Sequence, residues 1–492
     1  MYDSILFDTA RVLPILVVAF AGIVVILVDA FRNDSATIPV LAGLGLAAAF
    51  GLEGLTLFDP RLVFAGQVAS GGAAGLANMI ILLGALGSVV LSVPYLKRIG
   101  HNYGEVHGLI LFATAGMMTL ASAGSLITLF VGLETMSVCL YILTGLVREE
   151  ETANESALKY FLLGAFSTGF FLYGIALLYG ATGTMLFAEM PLALEATGRD
   201  LLFAAGVGLL LIGFLFKVSA VPFHMWTPDV YQGAPTTITG FMSTASKAAA
   251  FAALVVVLAR AFPADLGDEV TLTLAVVSAI TMVGGNVIAL AQSNVKRMLA
   301  YSSVAHGGYI LAGLAAGTAE GYGGSLFYLL AYTVMNVGAF GVLAALEWDG
   351  EQGAEQTLDS LAGAGYRKPV LGVAMGVFMF ALTGFPPLAG FMGKYFVFAA
   401  AVDSGLTWLA VVGVLASVVS AYYYLRVLVV LWMRDGDEAP EAARGPLAIT
   451  PGTQAVLVVC AILLLVFGVV PGVVSGPAEG FFEGAGALLS AR

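Results

Sequence analysis

The sequence predicts an all-α polytopic membrane protein with about 14 transmembrane helices. Of its 492 residues, 60% are hydrophobic and only 11% are charged, whereas roughly 25% are charged in soluble domains. The apolar residues also form runs of about 20, the length that crosses the hydrocarbon core of a bilayer. A water-soluble globule cannot hide so much apolar surface, so soluble folds are excluded.

Fourteen apolar runs divide the chain, and short polar loops separate them. The runs cover residues 11–31, 38–58, 74–96, 106–123, 124–147, 156–182, 201–227, 236–262, 270–292, 299–318, 324–347, 370–402, 405–433 and 453–475. The first is interpreted as a retained helix and not a signal peptide, because Asp3 and Asp8 precede it and further runs follow at once. An even number of crossings places both termini on one side of the membrane.

The distribution of basic residues predicts the orientation of these helices. Fifteen of the 20 Lys and Arg residues lie outside the runs, ten of them in loops after odd-numbered runs and five in the other loops and the termini. By the positive-inside rule, the odd loops face the cytoplasm and the termini face outward. The net charge of −12, without a basic stripe, argues against nucleic-acid binding.

Two long runs contain prolines near their middle. The first, taken as residues 201–231, reads FKVSAVPFHMWTPDVY from Phe216 to Tyr231, and the second, residues 370–402, holds GFPPLAGFMGK (Gly384 to Lys394). Because proline lacks an N–H and clashes one turn back, each helix should break and free backbone groups at membrane depth. Broken helices in corresponding halves of a chain indicate an ion pathway.

The helix count also predicts two inverted repeats. Helices 4–8 and 9–13 are blocks of five, and an odd block re-enters the membrane in the opposite orientation. Glu134 and His306 are 172 residues apart, and Lys217 and Lys394 are 177 apart, so polar groups fall at similar places in both blocks. The predicted domains are the N-terminal helices (1–105), the first repeat (106–262), the second repeat (263–433) and a loop with the last helix (434–492).

Ionisable residues within the apolar runs are the main functional signal. A charge at bilayer depth costs at least about 2.5–3.5 kcal/mol, so a set of them requires a compensating role. The set consists of Glu134, Lys217, Lys247 and Lys394, together with His306. A lysine near a movable carboxylate can take up and release a proton, and hydroxyl groups with trapped water can pass it on. The alternative is that these groups are paired only to hold helices together.

Lys159 and His224 are further candidates. Lys159 lies one turn inside its helix, so its side chain either joins the relay or extends to the interface. His224 lies in the first proline segment, where it either carries protons or only fills the helix break. Glu53 and Asp29 lie near helix ends, and an interface position is expected for both.

The two proline segments also carry a family resemblance. Pro222 to Thr236 resembles the PFHxWxPDxYxGAPT signature of the antiporter-like membrane subunits of respiratory complex I and of multisubunit cation/proton antiporters. Gly384 to Lys394 resembles the second broken-helix segment of the same family. The resemblance implies a proton channel driven by quinone reduction in neighbouring subunits. It implies these roles: Glu134 and Lys217 as a coupled pair, Lys247 as connector, Lys394 as terminal site and Lys159 as the family lysine of the sixth helix.

The resemblance further implies a subunit of a translocase, a proton-pumping NADH:quinone oxidoreductase of the bacterial plasma membrane. Cys139 and Cys460 lie in apolar runs and no dinucleotide fingerprint is present, so no redox centre is expected in this chain. NADH, FMN, iron–sulfur clusters and quinone are expected on partner subunits. The expected partners are other membrane subunits, through them a hydrophilic redox arm, and membrane lipids. The alternatives are a subunit of a cation/proton antiporter or membrane-bound hydrogenase, and a structural or quinone-binding scaffold.

Overall fold

The computed structural model describes residues 2–32, 36–262, 267–347, 356–438 and 449–483, which are almost entirely helical. The predicted all-α class is therefore confirmed for this part of the chain. Two of the cations counted above, Arg444 and Arg492, lie outside the described residues.

The helices follow one another with short connections. Up to the first break they are α1 (Tyr2–Arg11), α2 (Leu13–Arg32), α3 (Thr37–Thr56), α4 (Gly72–Arg98), α5 (Gly104–Ala121), α6 (Leu126–Thr144), α7 (Glu151–Thr182), α8 (Met190–Thr197) and α9 (Leu201–Lys217). Beyond it are α10 (Trp226–Gly233), α11 (Thr236–Phe241), α12 (Lys247–Arg260), α13 (Asp268–Leu290), α14 (Val295–Ala315), α15 (Ala319–Leu346), α16 (Ala364–Arg367), α17 (Pro369–Thr383), α18 (Ala389–Asp403), α19 (Thr407–Met433), α20 (Pro451–Val469) and α21 (Gly472–Glu483). Between α3 and α4, the strands β1 (Arg61–Val63) and β2 (Val68–Ser70) pair antiparallel, with Arg61 opposite Ser70.

Eleven helices in the described ranges are long and apolar enough to cross a membrane. The other three predicted runs coincide with α14, whose first turn carries Lys296 and Arg297, and with the two interrupted helices. The polytopic helical plan is thus confirmed, and the count of fourteen crossings stays a prediction. Helices α1 and α8 and the β-hairpin were not predicted, because these segments are short and only partly apolar.

Both predicted interruptions are present. Helix α9 ends at Lys217, and α10 begins only at Trp226. Helix α17 ends at Thr383, and α18 begins at Ala389. In each gap a proline lacks the N–H that the next helical turn would need. The first helix therefore stops ten residues earlier than the predicted run of 201–227.

The centre of the bundle is formed by α11 with α12, α14 and α15, whose residues are nearly all buried. The outer helices instead expose large apolar side chains such as Phe20, Phe166 and Val418. Apolar side chains on this outer surface need a hydrocarbon environment, as expected for a protein surrounded by lipid or by other membrane subunits.

The turn that connects α11 and α12 is not α-helical. Residues Met242–Ser246 form a π turn that joins α11 to α12, immediately before Lys247. A π turn inserts an extra residue into the helix, and such turns are frequent at functional sites.

The loops divide between two ends of the molecule. At one end Arg11 and Arg61 both contact Asp59, and the hydrogen bond from Arg11 holds the pKa of that carboxyl below its usual range. At the other end the His101 ring lies 3.3 Å from the Glu149 carboxylate. A hydrogen bond from its own backbone and then the one from His101 lower the pKa of Glu149. Loops after even-numbered and odd-numbered runs thus meet at opposite ends.

Candidate functional site

Helix α14 carries four polar side chains that meet the other candidate residues. Ser302, His306 and Tyr309 are spaced by four and three residues, so they share one face of the helix. Ser303 is instead in contact with Lys247 of α12. All four are at most 1% exposed. These polar groups therefore lie inside the protein, away from the outer surface.

Lys247 is bound by Ser303 alone among the described residues. Its Nζ donates to the Oγ and to the carbonyl oxygen of Ser303, each at 2.5 Å. Within the described ranges, no carboxylate oxygen lies within the 4.0 Å that defines an ion pair with this amine. Neutral oxygen atoms thus take the place of water around a fully buried amine.

His306 lies between two tyrosines. Its Nδ1 is 2.8 Å from the hydroxyl of Tyr328, and its Nε2 is 3.0 Å from the hydroxyl of Tyr424. The Tyr424 hydroxyl is in turn 2.5 Å from the Oγ of Ser302. Since imidazole nitrogens and hydroxyls can each donate or accept, Tyr328, His306, Tyr424 and Ser302 form one unbroken hydrogen-bonded row.

Lys394 lies at the second helix break. Its Nζ donates to the carbonyl oxygen of Thr383 at 2.8 Å and to the Oγ of Ser417 at 2.5 Å. The same amine lies 4.8 Å from the centre of the Tyr309 ring. Because α17 ends at Thr383, the amine occupies the negative end of a half-helix, where a cation is stabilised. Tyr309 connects this position to α14.

Lys217 and Glu134 are near each other without direct contact. Lys217 is the last residue of α9, and its Nζ donates to the Oγ of Ser137 at 2.8 Å and to the hydroxyl of Tyr141 at 3.4 Å. Glu134 accepts a hydrogen bond from Thr168 Oγ1 at 2.8 Å. Ser137 lies one turn beyond Glu134 on α6, so the two ionisable groups are linked through that turn. The carboxylate is partly exposed on the outside of the chain.

Gly307 joins the first break to the position of Lys247. A Cβ atom on this glycine would lie 3.2 Å from the carbonyl oxygen of Val218 and 3.9 Å from the Nζ of Lys247. The backbone that follows Lys217 therefore passes within a few ångströms of the Lys247 amine. Glycine permits this approach because it has no side chain.

Lys159 does not contact the hydrogen-bonded row around His306 or the other candidate lysines. Its Nζ binds Glu155 at 2.6 Å and Asp229 at 2.8 Å, and its side chain is 41% exposed. Asp229 also accepts from Arg297 at 2.6 Å. Asp229 belongs to the first proline segment, but its pairing with two cations was not anticipated, since the spacing along one chain does not show which helices meet.

His224 also lies outside the row. It is partly exposed in the first break, and its ring centre is 6.4 Å from that of Tyr301. Its Nδ1 is buried and has no hydrogen-bond partner within the described residues. No other ionisable candidate contacts it there.

Two buried carboxylates were missed or misplaced by the sequence analysis. Glu347, just beyond α15, is 1% exposed and is held by Tyr95 and Thr236. It stands at the end of an apolar run, where a charge normally marks a loop. Glu53 is also buried and accepts from Asn78 at 2.8 Å. The expected interface position of Glu53 is therefore wrong, because α4 covers it.

The described ranges contain no cluster of residues that would bind a metal ion or form a redox-active thiol pair. There, no group of three or more His, Cys, Asp and Glu residues is placed to hold a metal ion. Cys139 and Cys460 are both buried and free.

Comparisons with known proteins agree with this architecture. Residues 123–420 match the family described as "NADH:quinone oxidoreductase/Mrp antiporter, TM". NADH-quinone oxidoreductase subunit N of Salinibacter ruber is 57% identical over 490 residues, which are 98% of this chain and 97% of that protein. A chain of respiratory complex I from Thermus thermophilus is 38% identical with a TM-score of 0.80, covering 94% of this chain and 98% of that one.

A third comparison is with a chain of the Mrp complex from Dietzia. It is 21% identical with a TM-score of 0.84, and the match covers 99% of each chain, so it shows a common fold. The chain belongs to the NADH:quinone oxidoreductase/Mrp antiporter family of membrane subunits. Within this family it is similar to subunit N over nearly its whole length.

Proposed function

We propose that this chain is the proton-translocating membrane subunit of an NADH:quinone oxidoreductase. Its likeness to subunit N proteins along the whole chain supports this assignment. The subunit forms part of a translocase, and the electrons pass through partner subunits that hold NADH, FMN, iron–sulfur clusters and quinone. Each proton moved against the membrane potential costs about 2.3 kcal/mol per 100 mV, so quinone reduction in those subunits must drive the transfer.

The proposed path follows the central row of ionisable residues. It begins at Glu134 and Lys217, continues through Lys247 and His306, and ends at Lys394. Lys159 and His224 occupy positions beside this path, Lys159 in an ion pair with Asp229 of α10. We assign them supporting roles in holding α7 and the first helix break.

One observation carries the proposal: the three central lysines are bound by hydroxyl and carbonyl oxygens. The hydroxyl partners of Lys217, Lys247 and Lys394 are Ser137, Ser303 and Ser417. A hydroxyl can accept a proton from one neighbour while donating its own to the next, so such pairs can pass a proton onward. Lysines that served only to hold helices together would need carboxylates to compensate their buried charge.

Unpartnered hydroxyls lie beside the row. Tyr332 OH and Ser219 Oγ are buried and have no hydrogen-bond partner in the described part of the chain. The Tyr332 ring centre is 5.0 Å from that of His306, and Ser219 follows Lys217 by two residues. Buried polar groups of this kind usually bind water. We therefore expect water molecules to complete the steps between the lysines and His306.

The two halves of the chain supply equivalent parts. Helices α5 and α6 approach closely at Gly116 and Gly132, and α13 and α14 do so at Gly285 and Gly308. These are helices 4 and 5 and helices 9 and 10 of the predicted order. The Lys217 amine lies at the carboxyl end of α9, and the Lys394 amine lies at the carboxyl end of α17. These correspondences support inverted repeats over 106–262 and 263–433, flanked by domains 1–105 and 434–492.

The location follows from the same proposal. The chain is a multi-pass protein of the bacterial plasma membrane, with both termini on the outer side. The antiporter alternative is weaker, because the likeness to the Mrp chain rests on 21% identity and concerns the fold.

The proposal is tested by removing the first two groups of the path in the intact complex. In inverted membrane vesicles, we expect Lys217→Ala and Glu134→Ala to lower NADH-driven proton uptake about tenfold or more, the scale of losing a proton-transfer group. Lys97→Ala, which removes an exposed lysine in the last turn of α4, should leave uptake unchanged. Native gels of the complex verify assembly. Normal proton uptake by an assembled Lys217→Ala complex would favour a structural scaffold instead.

A further inference from the structure

Glu347 is a buried carboxylate that the proposed path does not use. Its Oε1 accepts from the Tyr95 hydroxyl at 2.9 Å, and its Oε2 accepts from Thr236 Oγ1 at 2.6 Å. The side-chain amide of Gln356 lies 3.4 Å from Oε2. The Tyr95 hydroxyl also accepts from the Thr236 backbone N–H at 3.2 Å. The carboxylate therefore joins α4, α11 and the chain beyond α15.

This site lies at the end of the molecule that the basic residues assign to the cytoplasm. Arg98 donates to the carbonyl oxygen of Ala344 at 2.8 Å, one turn before Glu347. Lys296 is fully buried and donates to the carbonyl oxygen of Ala234 at 2.6 Å. A cavity of about 30 Å³ adjoins the site and is lined by Tyr95, Arg98, Ala344 and Thr450 among others. It is large enough for one water molecule.

Polar groups continue from Glu347 toward the middle of the bundle along α4 and along the helix that begins at Thr236. On α4, Gly84, Ser88, Ser92 and Tyr95 are spaced by four, four and three residues and so form one stripe. Thr236 and Thr244 are eight residues apart on the helix that continues to Lys247. Thr236 and Lys247 are eleven residues apart, which is about 16 Å along a helix.

These two stripes come together at Gly84 and Thr244, beside Thr333 of α15. A Cβ atom on Gly84 would lie 3.2 Å from Thr244 Oγ1 and 3.3 Å from Thr333 Cγ2 of α15. The hydroxyls of Ser92, Thr237 and Thr333 are buried without a hydrogen-bond partner in the described part of the chain. Such groups normally bind water, so the seam between α4, α11 and α15 offers hydroxyls and water sites along the distance from Glu347 to Lys247.

We infer that Glu347 loads protons from the cytoplasmic side and delivers them along this seam to Lys247. This rests on the proposed function, since it requires Lys247 to conduct. A proton that enters from the cytoplasm through water in the adjoining cavity binds the Glu347 carboxylate. The acid then passes the proton through the hydroxyls and waters of the seam to the neutral Lys247 amine, which becomes an ammonium while Glu347 returns to a carboxylate. The charged and titratable groups that face Glu347 are Lys296, Arg98 and Tyr95, and the attraction of the two cations favours its charged form between cycles.

The inference is tested with Glu347→Gln in the intact complex. Glutamine keeps oxygen and amide groups in place for Tyr95 and Thr236 but cannot exchange a proton at this position. We expect NADH-driven proton uptake by inverted membrane vesicles to fall about tenfold while the complex assembles. Glu347→Asp should restore more than half of the uptake. The matched control is Glu53→Gln, a second buried carboxylate outside the seam, which should pump normally.

Two further variants distinguish failure of the Glu347 inference from failure of the proposed function. Ser92→Ala combined with Thr333→Val removes two hydroxyls of the seam at little change in volume and should slow uptake, even if Glu347→Gln fails to assemble. Lys247→Met should also abolish uptake. If Lys247→Met pumps normally, the proposed function itself fails. If Lys247→Met is inactive but assembled Glu347→Gln, or the double variant, pumps at the wild-type rate, only the loading role of Glu347 is overturned.

Discussion

At the scale of single residues, the buried lysines and the histidine of the proposed path have uncharged hydrogen-bond partners. Lys247 and Lys394 are each held by one serine hydroxyl and by backbone carbonyls. His306 is held by two tyrosines. Such groups can reorient and exchange protons, whereas a carboxylate partner would fix the charge. The proposed conduction therefore depends on hydroxyls that can change their hydrogen-bond partners.

Tyr424→Phe tests this dependence. The substitution removes the hydroxyl that connects His306 to Ser302 and costs about 1 kcal/mol of hydrogen bonding. We expect the complex to assemble and its NADH-driven proton uptake to fall, as measured with a pH-sensitive dye in inverted vesicles. Tyr422→Phe removes a hydroxyl two residues away on a side chain that is 62% exposed, and it should behave as wild type. Equal uptake by the two variants would remove Tyr424 from the path.

The ionisable residues could be predicted from the sequence, and their partners could not. Glu134, Lys217, Lys247 and Lys394 stand out because a charge within an apolar run is costly wherever the helix lies. That Ser303 meets Lys247, or that Ser417 meets Lys394, depends on which helix faces touch. Serines and tyrosines are too common in such helices to identify these contacts in advance.

At the scale of helices, close packing fixes the position of Glu134. Helices α5 and α6 meet at two glycines, and a Cβ atom on Gly116 would lie 2.6 Å from the backbone nitrogen of Met136. Backbone atoms of two packed helices cannot move aside as a flexible side chain does. The contact therefore holds α6, and with it Glu134 and Ser137, against α5.

Gly116→Ala should consequently destabilise the complex. Overpacking of this kind costs about 1–3 kcal/mol, and we expect a lower midpoint of thermal inactivation for the detergent-purified complex. Gly169→Ala is the control, because Gly169 lies on α7 with no other group within 4 Å of the added Cβ atom. An unchanged midpoint for Gly116→Ala would show that the two helices can separate without loss.

The helix breaks illustrate what local sequence can determine. Pro222 and the pair Pro386 and Pro387 predicted both interruptions, since the missing N–H acts within one turn. The π turn before Lys247 carries no such local signal in Met242–Ser246, and it arises where α11 packs against α4 and α15. Glu347 was missed for a similar reason, because its burial depends on α4 and on residues beyond α15.

At the scale of the whole molecule, the two ends carry different loops, and the basic residues predict which end faces the cytoplasm. Arg148 is exposed near Glu149 at one end, and Glu195 is exposed on α8 near the other. Since both native cysteines are buried, a new surface cysteine should be the main site of labelling on this subunit.

A membrane-impermeant thiol reagent should therefore label Arg148→Cys in inverted vesicles and Glu195→Cys in intact cells or spheroplasts. The modified subunit is read on a gel after purification, and the unsubstituted chain shows the background. Labelling of both variants from the same side, or with the sides reversed, would contradict the predicted orientation.

The central position of α14 has a consequence for control. This one helix carries the serine that receives Lys247 and also the serine and histidine that bind Tyr424. A helix that slides by about 1 Å, as rigid helices do in regulated proteins, stretches hydrogen bonds at all of these points beyond their working length. Under the proposed function, one such shift of α14 would interrupt several proton-transfer steps at the same time.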